Sequence, residues 1–424
     1  MSNDLKEGKI VVTYFDLNKN LSSEDMALRD AAHKFAAEVM RPISKELDQM
    51  SAEDAIGPDS PIWGFLKKAY ELNYHRILLP GEAGLGLTPL QIHLVQEELG
   101  WGSFGLAALL GGVGLPFYFA AMSGNKGLIA QFTEPFLCLH DASLIGCWAV
   151  TEPDHGSDTA AFKEDFFNVS GFLGNVRAQL DGEEWVISGQ KAAWVSVAPI
   201  ATHAVVHVQV DPSRGLNGMG LCIIPLNLRG VSRGKPLRKM GQRELCQGEL
   251  FFEGVRVPKN YMVFGPDEYD FAKEVILATV NADMSVWSTG LARAAFEEAL
   301  KYAKERVQGR KMIIEHYSVR QKLFNMFSKV ETCRALSRAV CEFNYHNPIP
   351  FVEYSIAAKI ACTKLCFEVA SDAVQLLGGN GLAQEYLTEK LFRDARTSLI
   401  MDGCNDALSA TGGAFLAEFY PRCR

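Results

Sequence analysis

The chain lacks the short motifs that mark the commonest nucleotide and metal sites. It has no GxGxxG turn between a strand and a helix and no GxxxxGK[ST] phosphate loop. Its ten cysteines form no CxxC pair. His203 and His207 stand four positions apart in a strand pattern, a separation of roughly 13 Å, which is too far for two ligands of one metal. We therefore predict no metal site.

The chain also lacks an excess of positive charge and any long uncharged apolar run. Its net charge is −8, so a nucleic-acid or anionic-membrane partner is not expected. No stretch approaches the 18 to 20 apolar residues of a membrane-spanning helix, and the N-terminus shows no basic and then apolar targeting pattern. With no disulfide framework either, we expect free cysteines and a cytoplasmic protein.

The 424 residues divide by periodicity into three regions. Residues 1–145 carry mostly helical spacing, with apolar residues three and four apart. Within them we expect a strand over residues 9–15, a break of the first helix at Pro42, a glycine-rich loop over residues 81–86 and a buried helix over residues 104–122. Residues 146–265 carry alternating, β-branched runs separated by turns, which indicate a β domain with strands that include residues 249–252 and 255–257. Residues 266–424 return to long amphipathic helices, one of them over Val352–Leu377, for which a four-helix bundle is the natural packing. The order α, β, α predicts a multi-domain α+β fold with a central barrel or sandwich.

One segment at the junction of the first two regions has unusual composition. It runs from Trp148 to Thr159 and combines hydroxyl groups with exposed backbone N–H groups. Taken alone, it is most simply a capped turn between domains. However, it closely resembles the acyl-CoA dehydrogenase signature, TEP followed by GSD. Further segments that resemble the family follow in order: VISGQKAAWVS, MGQR, FEGVRVPKNYMV, ERVQGR, AVQLLGGNG and LFRDAR.

The resemblance implies FAD as the cofactor, bound between the β domain and the helical bundle. The residues expected to line the flavin ring are Trp148, Val150, Thr151, Ser157, Trp194 and Ser196. An aromatic wall with hydroxyl donors suits a ring that gains negative charge on reduction. The stretch before Trp194 has one residue more than the family spacing.

The resemblance also implies residues that serve the cofactor of a neighbouring subunit. Arg306 would bind the FAD pyrophosphate, since the fork of an arginine suits paired phosphates. Gln308, Gln375, Gly378 and Gly379 match the same family segments. Taken alone, Arg306 is an arginine on a helix surface, and the glycines cap a helix that ends at Leu377. The sharing of residues between subunits implies a homotetramer.

The segment Met401-Asp402-Gly403-Cys404 takes the place of a Tyr-Glu-Gly-Thr segment that commonly holds the family's catalytic base. Asp402 is therefore the expected base, with Met401 and Gly403 against the substrate. Aspartate withdraws the carboxylate by one methylene, roughly 1.5 Å. Either the acyl group is cyclic or branched, as for similar relatives that use aspartate, or desaturase activity has been lost. Asp283 is a second candidate base.

We therefore predict an FAD-dependent acyl-CoA dehydrogenase that desaturates a thioester between Cα and Cβ. An electron-transferring flavoprotein would accept the electrons. Two alternatives stay open. A flavin monooxygenase on the same fold would lack a carboxylate at position 402, and a non-catalytic paralogue would bind acyl-CoA or FAD without turnover.

Overall fold

The computed structural model describes residues 21–79, 83–160, 169, 174–345, 347 and 350–419. The strand predicted near the N-terminus, over residues 9–15, lies outside these ranges, as does Gly81 of a predicted glycine-rich loop. The limits predicted for the three domains stay predictions.

Eight α-helices precede the first strand in the part of the chain that is described. They are α1 (Ser23–Phe35), α2 (Arg41–Gln49), α3 (Pro61–Glu71), α4 (Pro89–Gly102), α5 (Phe104–Val113), α6 (Leu115–Met122), α7 (Lys126–Leu128) and α8 (Glu134–Leu137). Ser22 begins α1 with a capping box, because its hydroxyl and the Asp25 carboxylate each accept a backbone N–H of the other. Thr88 and Gln91 begin α4 in the same way.

Two helical predictions in this region need correction. Pro42 was expected to interrupt the first helix, but a π-helical segment, Ala36–Met40, carries the chain from α1 into α2. Pro42 stands in the first turn of α2, where its missing N–H costs little. The apolar stretch 104–122 is two helices bent by 42°, with Gly114 and Pro116 at the bend. No single described helix is long and apolar enough to cross a membrane, although this bent pair together meets that test.

The central region forms one mixed, eight-stranded sheet. Its strands are β1 (Gly146–Ala149), β2 (Arg177–Asp181), β3 (Glu184–Ser196), β4 (His203–Gln209), β5 (Met219–Pro225), β6 (Val231–Arg233), β7 (Gln247–Pro258) and β8 (Met262–Phe264). The order is β6-β7-β3-β2-β4-β5-β8, with β1 paired in parallel to β4. Two strands predicted over residues 249–252 and 255–257 are one strand, β7, which passes through Gly254 at a φ of 62°.

Long helices make up most of the C-terminal region. They are α9 (Tyr269–Glu305), α10 (Tyr317–Tyr345), α11 (Val352–Leu377), α12 (Leu387–Ser398) and α13 (Asn405–Phe419), and the short hairpin β9 (Val307–Gln308) and β10 (Lys311–Met312) follows α9. Helices α9, α10 and α11 pack against one another, and α12 and α13 pack against α11. The predicted multi-domain α+β fold, helical at both ends, is confirmed.

Helices α4 and α9 cross with their backbones in direct contact. A Cβ atom on Gly290 would lie 2.2 Å from the Glu97 carbonyl oxygen and 2.5 Å from the Trp101 nitrogen. One on Gly100 would lie 2.6 Å from the backbone of Trp287. Only glycine allows so close an approach, so this crossing fixes α9 against the N-terminal helices.

We expect Gly290→Ala to destabilise the protein by about 1–3 kcal/mol, because the helices must separate to admit a methyl group. Gly64→Ala is the matched control. Gly64 is an exposed residue inside α3 whose added Cβ would meet nothing within 4 Å. This change should stabilise by about 0.5–1 kcal/mol through helix propensity. Denaturant unfolding measures both, and equal stabilities for the two variants would contradict the close crossing.

Candidate active site

A cavity of about 620 Å³ lies between the sheet, helices α5, α6 and α9, and the segment that joins α12 to α13. Its volume is in the range of sites for cofactors and small organic ligands. Most of the predicted site residues line it: Trp148, Val150, Thr151, Ser157, Trp194, Ser196, Met401, Asp402 and Gly403. Asp283, the second candidate base, lines it as well.

A buried ion pair holds the segment from Trp148 to Thr159, which we call the signature loop, against the sheet. The Lys191 ammonium donates to the Glu152 carboxylate at 2.7 Å and to the Val150 carbonyl at 2.9 Å. The same carboxylate accepts the backbone N–H groups of Asn175 and Val176. The Ala192 N–H donates to the Thr151 carbonyl at 2.8 Å. Val150 and Thr151 are therefore fixed at the cavity wall by a glutamate and a lysine that do not themselves line it.

The Trp148 indole is oriented by a neutral histidine. Its N–H donates to His207 Nε2 at 2.8 Å, and His207 Nδ1 lies 2.7 Å from the Tyr269 hydroxyl. Burial, and then the charges of Lys191 and Lys273, hold the His207 pKa well below its usual value. Since Nε2 accepts, we assign the single ring proton to Nδ1.

The wall beside Trp194 is shaped by an irregularity in the sheet. Between Lys191 and Val195, strand β3 advances four positions while β7 advances two, from Leu250 to Gly248. This irregularity coincides with the extra residue seen in the sequence, and Trp194 is left 57% exposed. A chain of side chains supports the stretch: Lys239 donates to the Gln247 amide oxygen at 2.7 Å, and that amide donates to the Trp194 carbonyl at 3.1 Å and to the Ser196 hydroxyl at 3.0 Å.

Asp402 lies in a turn with two residues of left-handed backbone. Its φ is 54° and that of Gly403 is 95°, a conformation that aspartate adopts more readily than most residues. The buried Lys359 donates to the Gly403 carbonyl at 2.7 Å and to the Asn405 side chain at 2.8 Å. The Cys404 N–H donates to the Ser157 hydroxyl at 2.9 Å, so Ser157 joins the signature loop to this turn.

Two carboxyl groups face the cavity, and their electrostatic surroundings differ. Among the described residues, Asp283 and Asp402 are the only acids that line it. Burial raises the pKa of Asp402 to about 6, against the opposing effect of Lys359. Burial and then the charge of Asp402 raise the pKa of Asp283 well above its usual value. Asp402 is therefore mostly ionised at neutral pH, whereas the raised pKa of Asp283 favours its protonated form.

The remaining predicted residues lie outside the cavity, exposed at one end of the helical region. They are Arg306, Gln308, Gln375, Gly378 and Gly379. Arg306 follows the last turn of α9, and Gly378 ends α11 with a φ of 61°. The Asn380 amide, next to these glycines, donates to the Tyr302 hydroxyl of α9 at 3.0 Å. The structure thus brings the two family segments close together on the surface of this chain.

Three family models match the chain in the order of its regions. The N-terminal domain of acyl-CoA dehydrogenase matches residues 22–135, the middle domain matches residues 147–255, and the C-terminal domain matches residues 281–416. The chain belongs to the acyl-CoA dehydrogenase family. The members of this family are flavoprotein oxidoreductases that act on acyl-CoA thioesters. The predicted family membership is therefore confirmed.

Individual relatives are similar over nearly their whole length. Cyclohex-1-ene-1-carbonyl-CoA dehydrogenase of Geobacter metallireducens is 29% identical over 401 residues, which cover 94% of this chain and 99% of that protein. The mitochondrial short-chain specific acyl-CoA dehydrogenase of Rattus norvegicus is 27% identical over 385 residues, which cover 89% and 86%. A glutaryl-CoA dehydrogenase of Mycobacterium smegmatis, solved in complex with FADH2, has a TM-score of 0.79 at 20% identity, covering 95% of this chain and 96% of that chain. This last likeness shows the fold.

Sequence reasoning missed the lysines that support the cavity: the buried Lys191 and Lys359 and the half-buried Lys239. Two of them left a signal in the sequence. Lys191 falls on the inward face of a strand, four positions after the buried Ile187. Lys359 falls on the apolar stripe of α11, between Ser355 and Cys362. A lysine on the core face of an element indicates a buried partner, although it does not say which one.

We expect Lys191→Met to lower the free energy of unfolding by about 3–5 kcal/mol, because it leaves the Glu152 carboxylate buried without its counter-charge. The double variant Lys191→Met/Glu152→Gln should recover part of that loss. Arg238→Ala removes the exposed pair of Arg238 with Glu53 and should change stability little. Chemical denaturation would measure all three, and a Lys191→Met protein as stable as the wild type would be inconsistent with this role.

Proposed function

We propose that this protein is an FAD-dependent dehydrogenase that desaturates an acyl-CoA between Cα and Cβ, with Asp402 as the base. The observation that carries the proposal is the Asp402 carboxylate, which lines the same cavity as the signature loop. A carboxyl group with a pKa of about 6 is ionised at neutral pH and is also a stronger base than an exposed aspartate.

The cavity wall is chemically suited to a flavin. Trp148 and Trp194 offer indole rings, and Thr151 and Ser196 offer hydroxyl groups, to a planar heteroaromatic ring. Val150 and Ser157 would complete this binding surface. The chemistry that FAD supplies when bound is the acceptance of two electrons, which leave the substrate as a hydride.

The chain's own groups would handle the proton and the thioester. The ionised Asp402 carboxylate takes the proton from Cα, which the thioester has made acidic. Among the described residues, the Asp402 backbone N–H has no hydrogen-bond acceptor. That N–H would donate to the thioester carbonyl and stabilise the negative charge that develops there. Gly403 has no side chain to obstruct the substrate, and Met401 would contact it.

We favour a cyclic or branched acyl group over a straight chain. A base that is roughly 1.5 Å shorter than glutamate needs a Cα that lies closer to the backbone at this point. A relative named for a cyclohexene thioester, similar over 94% of this chain, supports a ring. A relative named for short-chain substrates keeps a small unbranched acyl group as the alternative.

The partners follow from the same proposal. Arg306, Gln308, Gln375, Gly378 and Gly379 would hold the pyrophosphate and adenine of FAD in a neighbouring subunit, which makes a homotetramer the expected assembly. Their common location at one exposed end of the helices supports this role. We propose an electron-transferring flavoprotein as the acceptor of the electrons, since the sequence has no motif for a second redox cofactor, and a cytoplasmic location.

Anaerobic mixing with acyl-CoAs tests the proposal. The panel contains straight-chain, α-branched, cyclohexane- and cyclohexene-carboxyl thioesters, and the loss of the flavin's visible absorbance is followed. We expect loss with cyclic or branched thioesters, and a decrease in rate of about 10²-fold or more in Asp402→Asn, since a base is removed. The control Asp406→Asn, an exposed residue in the first turn of α13, should behave as the wild type.

A yellow protein whose flavin absorbance does not change with any thioester would contradict the proposed dehydrogenase activity. Two further measurements then separate the alternatives. Rapid reoxidation of chemically reduced flavin in air, with an oxygenated product, would indicate a monooxygenase. Thioester binding without any reaction would indicate a non-catalytic protein.

The pH dependence gives a separate prediction about the base. The rate of flavin reduction should rise as the pH increases through about 6, because only the ionised Asp402 accepts a proton. This rise is the acidic limb of the pH profile. Lys359→Met should shift this limb to higher pH, because the lysine charge lowers the pKa of Asp402. Lys364→Met, on the exposed face of the same helix, should leave the limb unchanged. A limb that moves to lower pH in Lys359→Met would refute the assignment.

A further inference from the structure

One face of α9 presents a small polar patch to the cavity. Thr279, Asp283 and Trp287 are spaced four apart, so they lie on the same face of the helix, and all three line the cavity. Tyr118 of α6 lines the cavity beside them. Burial raises the Tyr118 pKa, a hydrogen bond with Thr279 lowers it and the charge of Asp283 raises it, so the phenol lies close to both residues. We call Asp283, Tyr118 and Thr279 the α9 polar patch.

The cavity that the patch faces has many apolar lining residues. They include Leu79, Ala108, Leu110, Ile276, Leu277 and Val280. The Trp287 indole N–H donates to the Gln96 side chain at 2.8 Å, so this ring offers only carbon atoms to the cavity. A polar group in such surroundings costs free energy unless it has a hydrogen-bond partner.

Asp283 has no such partner among the described residues of this chain. The side chain is buried, and neither a hydrogen bond nor an ion pair joins it to another described residue, Asp402 included. Its raised pKa favours the protonated carboxyl, which presents one O–H donor that no described group accepts. The Thr279 hydroxyl is already used, because it donates to the Val275 carbonyl at 2.9 Å.

We propose that the α9 polar patch binds an oxygen atom carried by the acyl group itself, a hydroxyl or oxo substituent beyond Cβ. The Asp283 O–H donates to that oxygen, and the Tyr118 hydroxyl lies beside it as a second polar contact. Asp402 stays the base at another point of the same cavity. The inference rests on the proposed function and narrows its substrate class to oxygen-substituted cyclic or branched acyl-CoAs.

Calorimetric binding tests this independently of turnover. The ligands are cyclohexanecarboxyl-CoA and the same thioester with a ring hydroxyl or a ring ketone. The wild-type protein as purified should bind an oxygen-substituted thioester about tenfold or more tightly than the plain one, because a site built for a hydroxyl disfavours the analogue that lacks it. Asp283→Leu, similar in size but apolar, should lose this preference and bind the plain thioester at least as well as the wild type does.

Two further variants control for general damage to the cavity. Asp283→Asn keeps a donor and should retain part of the preference for oxygen. Glu298→Gln changes an acid of α9 that does not line the cavity and should retain all of the preference. Equal affinity of the wild type for plain and oxygen-substituted thioesters, or a preference that survives Asp283→Leu, would overturn the inference.

The flavin absorbance, followed in parallel, separates this inference from the proposed function. If the binding preference holds while no thioester reduces the flavin, the proposed dehydrogenase activity is wrong and the role of the α9 polar patch in binding is supported. If plain thioesters reduce the flavin and bind as well as the substituted ones, the role of the patch is wrong and the dehydrogenase activity is supported. If Asp283→Asn binds thioesters yet reduces no flavin with any of them, Asp283 is the base and the patch assignment is wrong.

Discussion

The contact between the backbones of α4 and α9 is the constraint on which the rest of the structure depends. Gly100 and Gly290 allow the two helices to touch. Beside the crossing, the buried Arg293 guanidinium binds Glu97 at 2.9 Å and also binds Glu98, and Arg334 of α10 binds Glu97 at 2.8 Å. Buried ion pairs recover little net free energy after desolvation, but a mismatched charge there is costly. The network therefore favours one register of α9 over its neighbours, and α9 carries both Asp283 and Tyr269.

The cavity takes its shape from segments that lysine side chains hold in place. Lys191 binds the Val150 carbonyl in the signature loop. Lys239 binds the Leu245 carbonyl beside the irregularity between β3 and β7. Lys359 binds the Gly403 carbonyl in the turn that contains Asp402. An ammonium group has three donors on a long stem, so one side chain can fix several acceptors of an irregular segment. Burial lowers the pKa of Lys239 and of Lys359 to about 8. The loop residues that line the cavity are thus held by lysines, two of which, Lys191 and Lys359, lie on regular elements.

The sequence predicted best what depends on local periodicity. The bounds of α11 were predicted as observed, Val352–Leu377, because its apolar stripe ends at a glycine that tolerates positive φ. The prediction failed at Pro42, because a π-helical segment continues the chain into α2 and leaves the proline in the first turn of that helix. The pairs Lys191–Glu152 and Lys359–Gly403 join residues 39 and 44 positions apart, so no local pattern could reveal them. The cavity residues on the signature loop and on the turn that contains Asp402 could be predicted only through the resemblance to a family.

The asymmetry between the two cavity carboxyls explains why Asp402, and not Asp283, is the base in the proposed reaction. Two nearby carboxyls in a desolvated site do not both ionise easily, so the local charges determine which one loses its proton first. Lys359 lies beside Asp402 and lowers its pKa, whereas among the described residues the charge that most affects Asp283 is that of Asp402, which raises its pKa. Asp402 therefore ionises first, and its charge adds to burial in raising the pKa of Asp283. Burial and the lysine on α11 thus together favour Asp402 as the base and the protonated form of Asp283 at a separate point of the same cavity.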